Sequence, residues 1–311
     1  MRHLLSLAST HARACLLIGL AAGLLLPNLA AAMVPWLPHM VALLLSTIAL
    51  RIGHHAAMGA VRDLAWGLGA VAVLQMLVPL MLLGFLTLAG LQNTTVALAI
   101  VLTCAAPTIT GSVNLALMMQ LDGGRMMQIL VLGTAMFPLT VLPVLAFLPQ
   151  LGAASLVISA ALKLLLIIAV ATGVGFALRI RLFPDPTQEQ IKALDGVSVL
   201  AFSIIVIGLI AAITPTLMQD PWRVVGWALL AFGLGYLLQI VTLLVLRRTA
   251  LHVVAGPLAI GAGNRNIAIF LVALPPDILA PLMVFVGCWQ LPMYLTPMLL
   301  PRVYAWALCN D

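Results

Sequence analysis

Arg265 is a charged residue in the middle of an apolar run, within Gly263-Asn-Arg-Asn266. No acid lies in the apolar part of any run to pair with it, and Asp277 is twelve residues away. A guanidinium in that setting has two chemical uses. It can face an organic anion, or it can replace a bound metal cation. A structural use competes with both: tying down carbonyl groups where a neighbouring helix is broken. Asn114 and Asn266 supply amides that could contact a substrate or coordinate an ion, or that could cap half-helices. The candidate substrate contacts are thus Asn114, Arg265, Asn266, Asn264 and Thr110. The hydroxyls of Ser112 and Thr134 are ambiguous in the same way, because such groups often bond their own backbone. Gln75 is a buried amide suited to a helix–helix hydrogen bond, and Gln239 repeats it. Lys163 is placed to snorkel, and His54 and His55 to meet solvent or head groups.

These residue types exclude as much as they suggest. There is no His/Cys/acid metal spacing, no nucleotide-binding Gly-rich sequence and no acid pair inside an apolar run, so the chain reads as no enzyme and implies no cofactor. Cys15, Cys104, Cys288 and Cys309 show no CxxC spacing and read as small packing residues.

The elements that must position Arg265 are written twice. Gly111-Ser-Val-Asn-Leu-Ala-Leu117 recurs as Gly263-Asn-Arg-Asn-Ile-Ala-Ile269, an offset of 152 residues. Gly133, Pro138 and Pro143 recur as Gly287, Pro292 and Pro297, an offset of 154. Gly69-x4-Leu-Gln75 recurs as Gly233-x4-Leu-Gln239, an offset of 164. Three matches in order argue against chance. Pro107 and Gly111 in one copy, and Gly261 and Gly263 in the other, mark helix breaks, since Pro removes a helix hydrogen bond and Gly tolerates unwound backbone. Interrupted helices in corresponding places of two halves point to a transporter with its site at the repeat interface.

Composition supplies the solvent. Hydrophobic residues make up 64% of the 311 and charged residues 7%, against about 25% charged in soluble domains. So apolar a chain must face lipid. Ten continuous apolar segments approach the length of about 20 residues needed to span a bilayer: 13–33, 37–53, 63–88, 95–119, 127–148, 154–179, 195–217, 222–246, 250–273 and 279–300. Continuous runs exclude a β-barrel. Of the 14 Lys and Arg, eleven fall on the side of the termini and even loops, Arg223 alone on the other, and Lys163 and Arg265 within segments. That bias places both termini in the cytoplasm and accounts for the net charge of +6 without nucleic acid. Ala30-Ala31-Ala32 resembles a signal-peptide cleavage site, but an even number of spans predicts that the first segment is retained. Gly19-x-x-x-Gly23 within it suits close helix packing. The one sustained polar stretch, Arg181–Asp195, falls between segments six and seven, but the motifs matched in segments four and nine, and in five and ten, place the five-helix repeats at 1–150 and 151–311. Five is odd, so the copies insert with inverted topology. The expected fold class is an all-α polytopic membrane protein of ten helices in two inverted repeats, with helices four and nine broken and crossing.

With these residues the chain resembles the bile acid:sodium symporter family. The resemblance is carried by Gln75-x3-Pro79, the Pro107…Ser112-Val-Asn114 break, Thr134 with Pro138 and Pro143, and Gly263-Asn-Arg-Asn266. It implies a core of segments 3–5 and 8–10, a panel of segments 1, 2, 6 and 7, and organic-anion substrates entering between them. It also implies sodium as the coupling ion, with Gln75, Ser112, Asn114 and Thr134 at ligand positions. Two departures oppose sodium: Gly261 stands at the family's Glu position and Arg265 at its Gln position. Val113 also separates Ser112 from Asn114, which are adjacent in the family. Repulsion between like charges about 4 Å apart at an effective dielectric of 20 is about 4 kcal/mol, roughly a thousandfold in affinity.

The resulting expectation is an inner-membrane secondary carrier for a small organic anion, working by alternating access, with sodium coupling weakened. Its rivals are a sodium-coupled carrier using the retained ligands, an arsenite-type efflux permease relying on Cys104, and a non-transporting membrane receptor.

Overall fold

The computed structural model describes residues 2–59 and 64–308, with side chains except at 2–4, 13 and 54–59. The side chains of His54 and His55, and all of Cys309, lie outside the described residues. Helices make up nearly all of the described chain, and no strand is present among the described residues. Among the described residues, seven helices are long and apolar enough to cross a membrane: Pro27–Gly53, Leu64–Leu88, Gly123–Ala146, Ala154–Leu182, Gln188–Gln219, Pro221–Leu246 and Pro276–Leu299. The protein is therefore a multi-pass α-helical membrane protein.

The other three expected segments hold apolar helices too short to cross alone, Ala14–Leu25, Thr95–Ala105 and His252–Gly263. Each shortening has a local cause. The first segment stops at Leu26 (φ −119°, ψ 66°) because Pro27 opens a new helix, so its end falls at residue 25 and not at 33. The other two stop at the breaks described below. The polar linker is also shorter than its composition suggests. Thr187 and Gln190 form a reciprocal capping box that starts a helix at Gln188, which leaves residues 183–187 as the connection.

The chain forms two compact units, and each draws on both halves of the sequence. The first comprises Met1–Gly59, Lys163–Gly226 and Ala268–Cys288. Its helices are held together at glycines. A Cβ on Gly19 would strike Ser203 O, and one on Gly23 would lie 2.6 Å from the Ile210 side chain. The Gly-x-x-x-Gly pair thus seats the Ala12–Leu25 helix against Gln188–Leu209. Gly53 (φ 72°, ψ 160°) kinks the Leu37–Gly59 helix in a backbone region open to glycine alone. Arg179 closes the carbonyls exposed there, donating from Nη1 to Leu50 O (3.0 Å) and Arg51 O (3.1 Å). Arg51 itself pairs with Asp195.

The second unit comprises Ala60–Leu162, Trp227–Ile267 and Trp289–Asp311. Thr94 caps the Thr95–Ala105 helix by accepting from Ala97 N (3.1 Å). Asp122 caps Gly123–Ala146 by accepting from Gly124 N (2.8 Å) and Arg125 N (3.0 Å). The two Pro-containing helices, Gly123–Ala146 and Met283–Leu299, run on through Pro138, Pro143, Pro292 and Pro297. Gly263 packs directly on the Pro221–Leu246 helix, where a Cβ would collide with Gly235 O and the Gln239 side chain. A Cβ at Gly69 or Gly233, the glycines of the sequence repeat, would meet nothing within 4 Å outside its own helix backbone.

Candidate functional site

All the residues of the candidate site described next belong to the second unit. The Thr95–Ala105 helix ends where Ala106 turns extended (ψ 150°) ahead of Pro107. The Ala255–Gly263 helix ends at Asn264 (φ −117°, ψ 83°). The two extended segments then pair as an isolated antiparallel bridge between Thr108 and Arg265. Ile109 N donates to Asn264 O (2.9 Å) and Asn266 N to Pro107 O (2.8 Å). Thr108 Oγ1 adds a bond to Asn264 O (3.2 Å). The unwound backbone thereby satisfies its own hydrogen bonds, as irregular backbone buried away from water must.

Arg265 is 1% exposed, and its guanidinium collects three carbonyls from three segments. Nε donates to Ala262 O (3.0 Å), Nη1 to Ala106 O (3.0 Å) and Nη2 to Leu74 O (2.9 Å). Each carbonyl is an orphan for an identifiable reason. Ala262 O lies in the last turn of its helix, and the amide that would have served it, Asn266 N, is bonded to Pro107. Ala106 O follows a helix end and precedes a proline. Leu74 O lies in a π-helical turn, Val73–Leu77, in which Val78 N bonds Val73 O. In that register the next donor would be residue 79, a proline with no N–H. Pro79 thus frees the carbonyl that Arg265 takes.

The electrostatics favour a cation. Both broken helices present their C-terminal ends, each equivalent to about half a negative charge, to the same guanidinium. Trp289 Nε1 fixes the backbone from behind by donating to Arg265 O (2.9 Å). Arg265 is therefore an internal cation held where oxygen ligands converge. It does not project towards solvent.

The other expected residues divide by exposure. Asn264 is fully buried: its Nδ2 donates to Ile260 O (3.0 Å) and its Oδ1 accepts from Thr296 Oγ1 (3.3 Å). It caps a helix end and does not face a ligand. Thr110, Gly111, Thr134 and Asn266 are partly exposed, and Asn114 is exposed on the Ser112–Met118 helix. Ser112 is fully buried and its Oγ has no hydrogen-bond partner. Gln75 is buried, accepts from Thr140 Oγ1 (3.0 Å), and sits so close to Gly133 that a Cβ there would lie 2.5 Å from its Nε2. The side chains of Ser112 and Asn114 therefore lie in different environments, one buried and one exposed.

The two sequence-related copies do not meet at the crossing: Gly263–Ile269 supplies residues 264–266, whereas Gly111–Leu117 lies beyond it. Gly111 precedes the second half-helix of segment four, whereas Gly263 closes the first half-helix of segment nine. Residues 107–109 and 264–266 make the contact instead. Gly261 lies within its helix, where a Cβ would meet the Ile129 and Leu74 side chains at ordinary contact distance, and not in the break. Lys163 is exposed on the Ala154–Leu182 helix, and Cys104 is fully buried.

Sequence reasoning missed a second polar network. Tyr304 O–H donates to Gln239 Oε1 (2.8 Å), and Gln239 Nε2 donates to Gly235 O (3.1 Å) and Thr296 Oγ1 (3.4 Å). Through Thr296 it reaches Asn264. The repeat of Gln75 at Gln239 was the available signal, since each glutamine meets a threonine of the double-proline helix in its own half.

No family model and no curated protein matches this chain.

Proposed function

We propose that the protein is a secondary transporter for small organic anions, working by alternating access and resembling the bile acid:sodium symporters, with Arg265 in the place of a coupling cation. The observation that carries this reading is the guanidinium buried at the crossing of two broken apolar helices, bonded to three neutral carbonyls. Carbonyls stabilise the charge without cancelling it. An anion held about 8 Å away would gain about 2 kcal/mol at an effective dielectric of 20. Thr110, Asn266 and Asn114, the polar side chains beside the crossing with exposed surface, are the proposed direct contacts. A broken-helix pair with irregular backbone at depth is the arrangement used by carriers that bind solutes mid-membrane. The bias of basic residues towards one side supports an inner-membrane location with cytoplasmic termini.

The test is a thermal-stability screen of organic anions on purified protein, run beside Arg265→Gln. An anion that stabilises the wild type and loses that effect in the variant supports the reading. Equal shifts in both proteins would count against the role of Arg265.

A second reading, sodium coupling, is favoured by one observation: the unpartnered, fully buried Ser112 Oγ, an oxygen available to a cation. It is opposed by the positive charge of Arg265 beside the same break. An arsenite permease relying on Cys104 is disfavoured by the complete burial of that thiol.

A further inference from the structure

The helix Pro301–Leu308 has two unlike faces. Tyr304 and Ala307 are buried, and Tyr304 is bonded to Gln239. Arg302 and Trp306, one turn apart and therefore on one side, are exposed, Trp306 to 60%. The Arg247 guanidinium lies over the Trp306 ring, 4.8 Å from its centroid.

The position of this helix is set by two candidate spans. Pro221–Leu246 ends at the residue before Arg247, and Pro276–Leu299 ends two residues before Pro301. Where apolar spans end, hydrocarbon gives way to head groups, the depth at which Trp and Arg are enriched. The surface just inside that level is apolar and exposed: Val245 at 62%, Met298 at 61% and Leu299 at 55%. The surface at that level carries Arg247, Arg248 and Arg302. Among the described residues of this unit the one acid is Asp122, whose carboxylate caps another helix. Nothing acidic among the described residues of this unit therefore competes for these guanidinium groups. The stacked Arg247 keeps the N–H edge of its plane available, the edge that matches phosphate geometry.

We propose that Arg247, Arg302 and Trp306 form a binding site for an anionic phospholipid of the leaflet in which this helix lies. The arginines hold the head-group phosphate, and the indole sits at the acyl-chain boundary below it. A soluble polyanion would not use the apolar shelf of Val245, Met298 and Leu299, whereas a lipid uses both parts. This site belongs to the membrane-protein character of the chain and holds whether or not the protein carries a solute.

Indole quenching by brominated lipids tests it on the full-length protein in phosphatidylcholine vesicles. The contribution of Trp306 is the difference between the wild type and Trp306→Phe. Brominated phosphatidylglycerol should quench that contribution at least twofold more than brominated phosphatidylcholine at equal bromine. In Arg247→Gln/Arg302→Gln the ratio should fall to about one, since each basic residue near the surface contributes severalfold to anionic-lipid binding. Arg302→Gln alone, on the exposed face, should lower the ratio partway and guards against misfolding of the double variant. Excess inorganic phosphate should leave the ratio unchanged. Equal quenching by the two lipids in the wild type, a preference retained in both variants, or a preference abolished by phosphate would overturn the proposal.

Discussion

At the scale of the residue, Arg265 is stabilised by geometry and not by a counter-charge. A charge at bilayer depth costs several kcal/mol, and here three orphan carbonyls and two helix C-termini offset it. Arg265→Met should therefore destabilise the protein by about 2–5 kcal/mol, the cost of leaving buried carbonyls unpaired. Arg265→Lys should lose roughly half of that, since an ammonium keeps the charge but cannot span three segments. Thermal melts in detergent check both, and a Lys variant no better than Met would contradict the staple. Ser112 gives a second residue-scale prediction. Removing a buried hydroxyl that has no partner costs little, so Ser112→Ala should change stability by less than about 0.5 kcal/mol in sodium and in choline alike. A loss seen in sodium alone would reveal a bound ion. Arg265 itself was legible in the sequence, because a charge without an acid in an apolar run is conspicuous. Leu74 O as its partner was not, because nothing in a leucine announces a freed carbonyl.

At the scale of the element, the π-helical turn is the least expected feature and the one with the clearest cause. Pro79 lacks the N–H that would serve Leu74 O, so the Leu64–Leu88 helix opens a carbonyl towards Arg265. Pro79→Ala restores that donor and sets the helix bond in competition with Arg265. The substitutions Pro79→Ala and Arg265→Met should then be non-additive by about 0.5–3 kcal/mol in a double-mutant cycle; additivity would disconnect them. Glycines separate equally sharply. Gly263→Ala drives a methyl into Gly235 O and Gln239 and should cost about 2 kcal/mol or more. Gly233→Ala has open space and should be neutral or slightly stabilising, so comparable melts for the two would refute the close approach. The breaks themselves could be read from Pro107 and from the glycines around 261–263. The register of the crossing could not, because similarity between Gly111-x-x-Asn114 and Gly263-x-x-Asn266 reports composition, whereas the crossing is chosen by which unwound amides and carbonyls can pair.

At the scale of the whole molecule, the membrane character was legible from composition alone, and the location of most spans from their apolar runs. Span length was less so. Leu26-Pro27 cuts the first segment, and the polar stretch Arg181–Asp195 is largely helix because Thr187 and Gln190 cap the Gln188–Gln219 helix. The interleaving of both halves in each compact unit is a property of long-range packing that no local pattern encodes. The central claim is that Arg265 does the work of a coupling cation in an anion carrier. The most direct measurement is uptake of a stabilising organic anion into proteoliposomes, with sodium or choline as the external cation. The account predicts equal initial rates in the two buffers for the wild type. A rate several-fold higher in sodium would contradict it.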